Sequence, residues 1–288
     1  MGEGSISCRL RRGNDAERSG GILLAVMAAD LEQLLGRTMV LVAHPDDECI
    51  TSGGLLQRMS EPVVVYATDG SPQDPYFWKK HGSREAYTRL RQEEARRALA
   101  RVGVREILFL ANREPMLVDQ ELFKNLGLAF ELLVDEAKRR EPEAVLTLAY
   151  EGGHPDHDSC SLLASELGKV MGIPVWEAPL YRRRRSELSV QEFVEPNGKE
   201  IPYVPSAGEI ERKRQMCLEY PSQGDFLQVF GLEREMFRPQ KEYDYSQRPH
   251  EGKLNYEEWQ WSMTGEQVSG KFVEFQRGRK VDPSLRSR

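Results

Sequence analysis

Cysteine is scarce in this chain. Cys8, Cys49, Cys160 and Cys217 are all there is in 288 residues, and no two have paired spacing. The pattern speaks against a disulfide framework and against a cysteine-type zinc site, and it fits a reducing cytoplasm. Long apolar runs are missing as well. None approaches the roughly eighteen residues of a membrane span. Ile22 to Met27 is too short, and lacks the small-residue cleavage pattern, to read as a signal peptide. There is no excess of basic charge: the net charge is −6, so no whole-chain positive field favours nucleic acid. The first strand is followed by no G-x-G-x-x-G, and no P-loop occurs, so nucleotide binding has no support.

Histidine is scarce too, and its placement is informative. Of five histidines, three fall in two short segments, Ala43-His44-Pro45-Asp46-Asp47-Glu48 and Gly153-His154-Pro155-Asp156-His157. Each follows an apolar, β-prone run, Met39 to Val42 in one case and Ala144 to Ala149 in the other. A strand giving way to a loop is the carboxyl edge of an open α/β sheet, where ligands bind. His44 and Asp47, three apart, can turn toward one point, and His157 can complete the set. Two imidazoles and one carboxylate suit Zn²⁺, with a position left for water. Asp46 then stands beside the metal, placed to take a proton from that water. His154 is left to donate to an oxyanion or to protonate a leaving group. A lone His-x-x-Asp is commonly only a turn with an aspartate cap, but two such segments, each after a buried-type strand, point to a metal site.

Periodicity and breakers predict alternating elements. Strands are expected at Met39–Ala43, Pro62–Ala67, Glu106–Leu110, Ala144–Ala149 and Ile173–Ala178. Helices are expected at about Ala28–Leu35, Ser52–Met59, Arg84–Val102, Asp119–Arg140, Asp158–Met171 and Glu209–Glu219. Such alternation requires right-handed parallel crossovers, hence an α/β Rossmann-like three-layer sandwich with a mostly parallel central sheet. A β-hairpin insertion is expected at Glu192–Val204, around the Asn197-Gly198 turn. The predicted organisation is a flexible extension over 1–27, a catalytic domain over 28–236, and an extended, irregular, aromatic arm over 237–288, frayed after Gln276. Met27 is a candidate start of the folded chain. The arm holds Tyr243, Tyr245, Tyr256, Trp259 and Trp261 and packs on its own domain or on a neighbouring subunit of a homo-oligomer. The loop 71–83 carries Tyr76-Phe77-Trp78, either a wall over the site or aromatics tucked into the surface. The run Arg182 to Arg185 either binds a substrate anion or is solvated. Cys49 and Cys160 read as small buried residues.

The A-H-P-D-D-E segment, followed about a hundred residues later by H-P-D-H, resembles the PIG-L/LmbE-like zinc-dependent deacetylases, over roughly Met39 to Gln223. The resemblance implies removal of an N-acetyl group from an N-acetylglucosamine-type sugar or conjugate, by attack of a zinc-bound water. It implies His44, Asp47 and His157 as ligands of Zn²⁺ or another divalent ion such as Fe²⁺. Asp46 would be the general base, His154 the protonated electrophilic partner, and Asp156 the carboxylate that orients His154. Arg91, in an R-x-x-E-A stretch similar to the family's helix, would approach the substrate, although a plain salt bridge to Glu94 is the simpler reading. Where relatives carry a tyrosine just before the second motif, this chain has Tyr150 four residues ahead of His154. A wider pocket for a thiol-sugar or glycopeptide conjugate, or a non-catalytic carbohydrate-binding protein on the same fold, are the alternatives. The expected partner is a small amino sugar, with no nucleic acid and no membrane span.

Overall fold

The structure, a computed structural model, describes residues 31–281. In chain order its elements are β1 (Thr38–Val42), α1 (Asp47–Ser52), β2 (Val63–Tyr66), α2 (Pro75–Trp78), α3 (Arg84–Arg101), β3 (Glu106–Phe109), α4 (Leu126–Arg140), β4 (Ala144–Leu148) and α5 (Pro155–Met171). They continue with β5 (Val175–Ala178), β6 (Tyr181–Arg184), β7 (Glu187–Val190), β8 (Ile201–Tyr203), α6 (Ala207–Leu218), α7 (Gly224–Leu227), β9 (Glu235–Pro239), α8 (Asn255–Glu258) and α9 (Gly265–Val281).

Seven strands form one sheet in the order β3-β2-β1-β4-β5-β9-β8. The five strands from β3 to β5 are parallel, whereas β9 and β8 are antiparallel additions. Helices α4, α5 and α9 pack together, while α6 packs on α1 and α3, so the sheet lies between two helical layers. The central strands read as continuous apolar runs because both their faces are covered; every residue of β1 and β4 is buried. Chain direction across the sheet reverses between β1 and β4. The loops leaving these two strands therefore part to opposite sides and open a crevice at their carboxyl ends.

Several predicted boundaries shift for local reasons. The first helix starts at Asp47 rather than near Ser52, since two acidic residues suit a first helical turn. Leu55–Gln57 is only a single 3₁₀ turn. Helix α4 starts at Leu126, which leaves 119–125 as a loop with one 3₁₀ turn, Leu122–Lys124, rather than the helical start expected at Asp119. Its end is as expected: Glu141 adopts φ 48° and Pro142 follows. The hairpin lies at β6–β7 and not at Glu192–Val204; β8 pairs with β9 instead, across Ile201↔Phe237 and Tyr203↔Glu235. The carboxyl-terminal arm is less irregular than expected. Strand β9 bridges residue 237, and α9 runs without a break past Gln276. The extension over 1–27, the start of the helix expected at Ala28, and Cys8 lie outside the described residues.

Cys49 and Cys160 are buried, as expected. Cys49 Sγ lies 2.7 Å from Cys217 Sγ, both as free thiols. With 168 positions between them, spacing alone held no sign of this pairing. No described helix is long and apolar enough to cross a membrane.

Candidate metal centre and active site

The residues that follow β1 are held in an unusual path. Asp46 has φ 126°, a region that side chains rarely occupy. Five hydrogen bonds impose it. Asp47 Oδ2 accepts the N–H groups of Ala43 (3.1 Å) and His44 (2.8 Å). The Glu48 carboxylate accepts the Asp46 N–H at 3.1 Å. Arg91 Nη2 donates to the Pro45 carbonyl at 2.6 Å. Its Nη1 donates to the Gly70 carbonyl at 2.8 Å. Glu48 is fully buried against the Tyr220 hydroxyl, and burial pushes its carboxyl up to about 7.

The second segment is built as a helix start. His154 is the N-cap of α5, and Pro155 follows in the first turn, where its missing N–H costs nothing. His154 Nδ1 accepts the Asp156 N–H at 3.1 Å. Asp158 Oδ1 accepts the N–H groups of Glu151 (3.1 Å) and Gly152 (3.0 Å), which fixes the loop behind the histidines.

Three donor atoms converge at the crevice. His157 Nε2 lies 3.3 Å from Asp47 Oδ1 and 3.3 Å from His44 Nδ1. His44 Nδ1 is 3.5 Å from the other oxygen of that carboxylate, Asp47 Oδ2. A tetrahedral ion with bonds of about 2.1 Å holds its ligands roughly 3.4 Å apart, so this triangle has the dimensions of a divalent metal site. The outward nitrogen of His44, Nε2, lies 3.2 Å from Asp156 Oδ2, which leaves the Nδ1 lone pair to face the triangle. Two other donor sets, His44, His154 and His157, and His44, Asp119, His154 and Asp156, each lie within 4.8 Å of one another. All of these residues are buried. The donor set therefore fits a divalent ion.

The electrostatics follow from burial against charge. Burial lowers the His44 pKa, but Asp119 and Asp47 beside it outweigh that and hold it well above the ordinary histidine value. Burial raises Asp47, and His157 and His44 more than reverse this. Burial pushes Asp46 up to about 8, although Arg91 Nη2, 3.2 Å from its Oδ2, pulls the other way. His154 is pushed down to about 4, first by burial and then by the charge of His44. It is a neutral imidazole at pH 7, and with Nδ1 occupied as an acceptor its proton sits on Nε2.

Two expected contacts are replaced by others. The Asp156 carboxylate does not aim His154, whose Nδ1 is 3.9 Å away. It accepts the N–H groups of Gln120 (2.7 Å) and Leu122 (3.0 Å) and supports His44. Asp119 is the carboxylate near His154, 3.4 Å from Nε2, and it also lies 3.2 Å from His44 Nε2. An aspartate ahead of a helical run reads as a cap, which is why it drew no notice in the sequence. Arg91 is not paired with Glu94, whose carboxylate accepts from Ser222 instead. Tyr150 turns away to donate to the Gln247 carbonyl. Tyr181 lies at the site, its ring 5.3 Å from that of His157.

These groups line a cavity of about 230 Å³ that is walled further by Tyr87, Phe226, Trp259 and Trp261. The aromatic loop divides: Phe77 lines the cavity, while Trp78 Nε1 is tucked onto the Pro72 carbonyl. None of Arg182 to Arg185 lines it. Arg182 and Arg184 border a separate cavity of about 410 Å³, and Arg183 meets Glu258 at 3.4 Å. The arm docks on its own domain: Asn255 donates to the Gly152 and Gly153 carbonyls at 3.0 and 3.2 Å.

Residues 39–167 match the family PIG-L: GlcNAc-PI de-N-acetylase. The 1D-myo-inositol 2-acetamido-2-deoxy-alpha-D-glucopyranoside deacetylase of Corynebacterium diphtheriae is 29% identical over 165 residues, covering 50% of this chain and 56% of the relative. The chain thus spans little more than half the length of that relative. Among solved structures, a deacetylase triple mutant of the teicoplanin biosynthetic pathway superposes with a TM-score of 0.56 at 17% identity, over 72% of this chain and 99% of that one. The A40926 pseudoaglycone deacetylase Dbv21 gives 0.53 at 18% identity, over 70% of this chain and 96% of that one. At these identities the structural matches show a shared fold. The stretch that carries His44, Asp47 and His157, residues 39–167, is thus similar to the PIG-L family over less than half of the chain.

Proposed function

We propose that the protein is a zinc-dependent hydrolase that removes the N-acetyl group from an N-acetylglucosamine-type sugar or sugar conjugate. The observation that carries this reading is the donor triangle of His44, Asp47 and His157, with sides of 3.3 to 3.5 Å, beside a strained Asp46 that is not part of it. The family match and the relative's name, a deacetylase of an acetamido sugar, supply the substrate class. A non-catalytic binding protein has no use for a carboxylate held in so costly a backbone conformation.

His44 Nδ1, Asp47 Oδ1 and His157 Nε2 would hold the ion, which when bound polarises an amide carbonyl and lowers the pKa of water toward about 7. Asp46 accepts the water proton on its carboxylate and returns it to the departing amine. His154, neutral with its proton on Nε2, donates a hydrogen bond to the developing oxyanion. Asp156 sets the ring of His44, and Asp119 faces the outer nitrogens of both His44 and His154. Arg91 acts as a positioning residue: it grips the Pro45 carbonyl and holds Asp46 toward its ionised form. Tyr181, Phe226 and Trp261 exclude bulk water, which strengthens each of these interactions.

Acetate and free amine released from N-acetylglucosamine and its glycosides test the reading directly. A zinc-loaded chain that releases neither from any acetylated amino sugar overturns it. His157→Ala should reduce bound zinc from about one per chain to near none, measured by elemental analysis after dialysis; full zinc content in that variant removes His157 from the ligand set. Arg91→Met has a second signature. Loss of the guanidinium raises the pKa of Asp46, so the acid limb of the kcat/KM profile should move to higher pH by about one unit. An unmoved limb would mean that Arg91 does not act through Asp46.

A further inference from the structure

We infer that the carboxyl-terminal arm and the 71–83 loop form a second subsite, which binds an uncharged sugar ring attached to the acetylated one. This rests on the deacetylase reading of the inner site and names the rest of its substrate. The inner cavity, about 230 Å³, falls below the range of about 300–1,000 Å³ usual for small-molecule sites. It does not end there. Phe77, Asp119, Gln120, Trp259 and Trp261 line both it and an adjoining cleft of about 830 Å³. Trp261 joins the two, with its ring 4.9 Å from that of His154.

The chemistry of the outer cleft selects its occupant. Trp259 and Trp261 stand 5.3 Å apart at 48°, and Tyr76 borders the opposite loop with 72% of its surface exposed. Large aromatic faces left open to water present C–H-binding platforms, and the apolar face of a pyranose ring matches them. The amides of Gln73, Gln120 and Gln260 and the hydroxyl of Ser262 share the lining and match the ring's hydroxyls. Gln120 and Gln260 take left-handed φ of 69° and 58°, a strain that ligand clamps commonly carry. No lysine, arginine or histidine borders the cleft, whereas Asp74 and Glu121 do, so a phosphate or carboxylate on the substrate is disfavoured.

The test is binding to the full-length Asp46→Asn chain, read by tryptophan fluorescence and calorimetry. Four probes serve: N-acetylglucosamine, N,N′-diacetylchitobiose, N-acetylglucosamine 1-phosphate and the phenyl glycoside of N-acetylglucosamine. The disaccharide should bind on the order of tenfold more tightly than the single sugar, and more tightly than the other two. Trp259→Ala should erase most of that advantage, and so should Tyr76→Ala, whose exposed position protects the fold. Equal affinity for one and two rings overturns the inference, as does a preference for the phosphate or the phenyl group. Because binding is read without turnover, an absence of acetate release would sink the deacetylase reading and leave this result separate.

Discussion

Asp46→Asn should lose on the order of 10²–10⁴-fold in kcat while zinc content and melting temperature stay near those of the parent chain. Asparagine keeps the shape of the side chain, and it tolerates positive φ better than most residues, so the loop at φ 126° need not rebuild. What it lacks is a group that can accept a proton from water. Asp46 also stands apart from the three donors: its contact is with Arg91 Nη2 at 3.2 Å. The two readouts therefore separate its role from theirs. Turnover retained in Asp46→Asn would remove it as the base. Zinc lost together with turnover would make it a ligand.

The largest effect on stability is expected far from the metal. Lys213 and Glu235 are completely buried, with Nζ 2.6 Å from Oε1. The lysine also donates to the Ile50 carbonyl at 2.9 Å, and the glutamate accepts the N–H groups of Gly54 (2.6 Å) and Leu55 (3.0 Å). This network ties β9 and α6 to the end of α1, the helix that carries Asp47. Glu235→Ala strands a charged ammonium and two N–H groups in a dry interior. The expected cost is about 3–5 kcal/mol, which corresponds to a fall of roughly 10 °C in Tm. Lys213→Met with Glu235→Leu, which removes both charges, should recover much of that loss. Calorimetry of the three chains decides it; a single variant no less stable than the double one would show that the ion pair is not what matters.

The elements that meet at the crevice differ in how much of them a reader of the sequence could find. Strands β1 and β4 were legible because their apolar runs are unbroken, and the histidine segments were legible because a carboxyl edge is where ligands gather. The proposed ligands His44, Asp47 and His157 are drawn from those same two segments. Asp119 was hidden, since its role depends on residues 119–125 forming a loop and not on any local pattern. Glu48 likewise gives no sign in sequence that Tyr220, 172 positions away, will cover it. The hairpin was misplaced for a related reason: Asn197-Gly198 does make a turn, with Gly198 at φ 77°, but β9 outcompetes the neighbouring segment as the partner of β8. The register of non-local strands is set by what is available across the sheet.

Both tryptophans of the outer cleft lie beyond residue 167, while the proposed donors His44, Asp47 and His157 lie before it. In the proposed function, part of the choosing thus falls on a length of polypeptide that supplies none of the cutting donors. If the proposed function holds, exchange of Tyr76 or Gln260, which border only the outer cleft, would retune which glycans are accepted while the inner donors stay in place, so lineages on this scaffold could diversify their diet without reinventing their scissors.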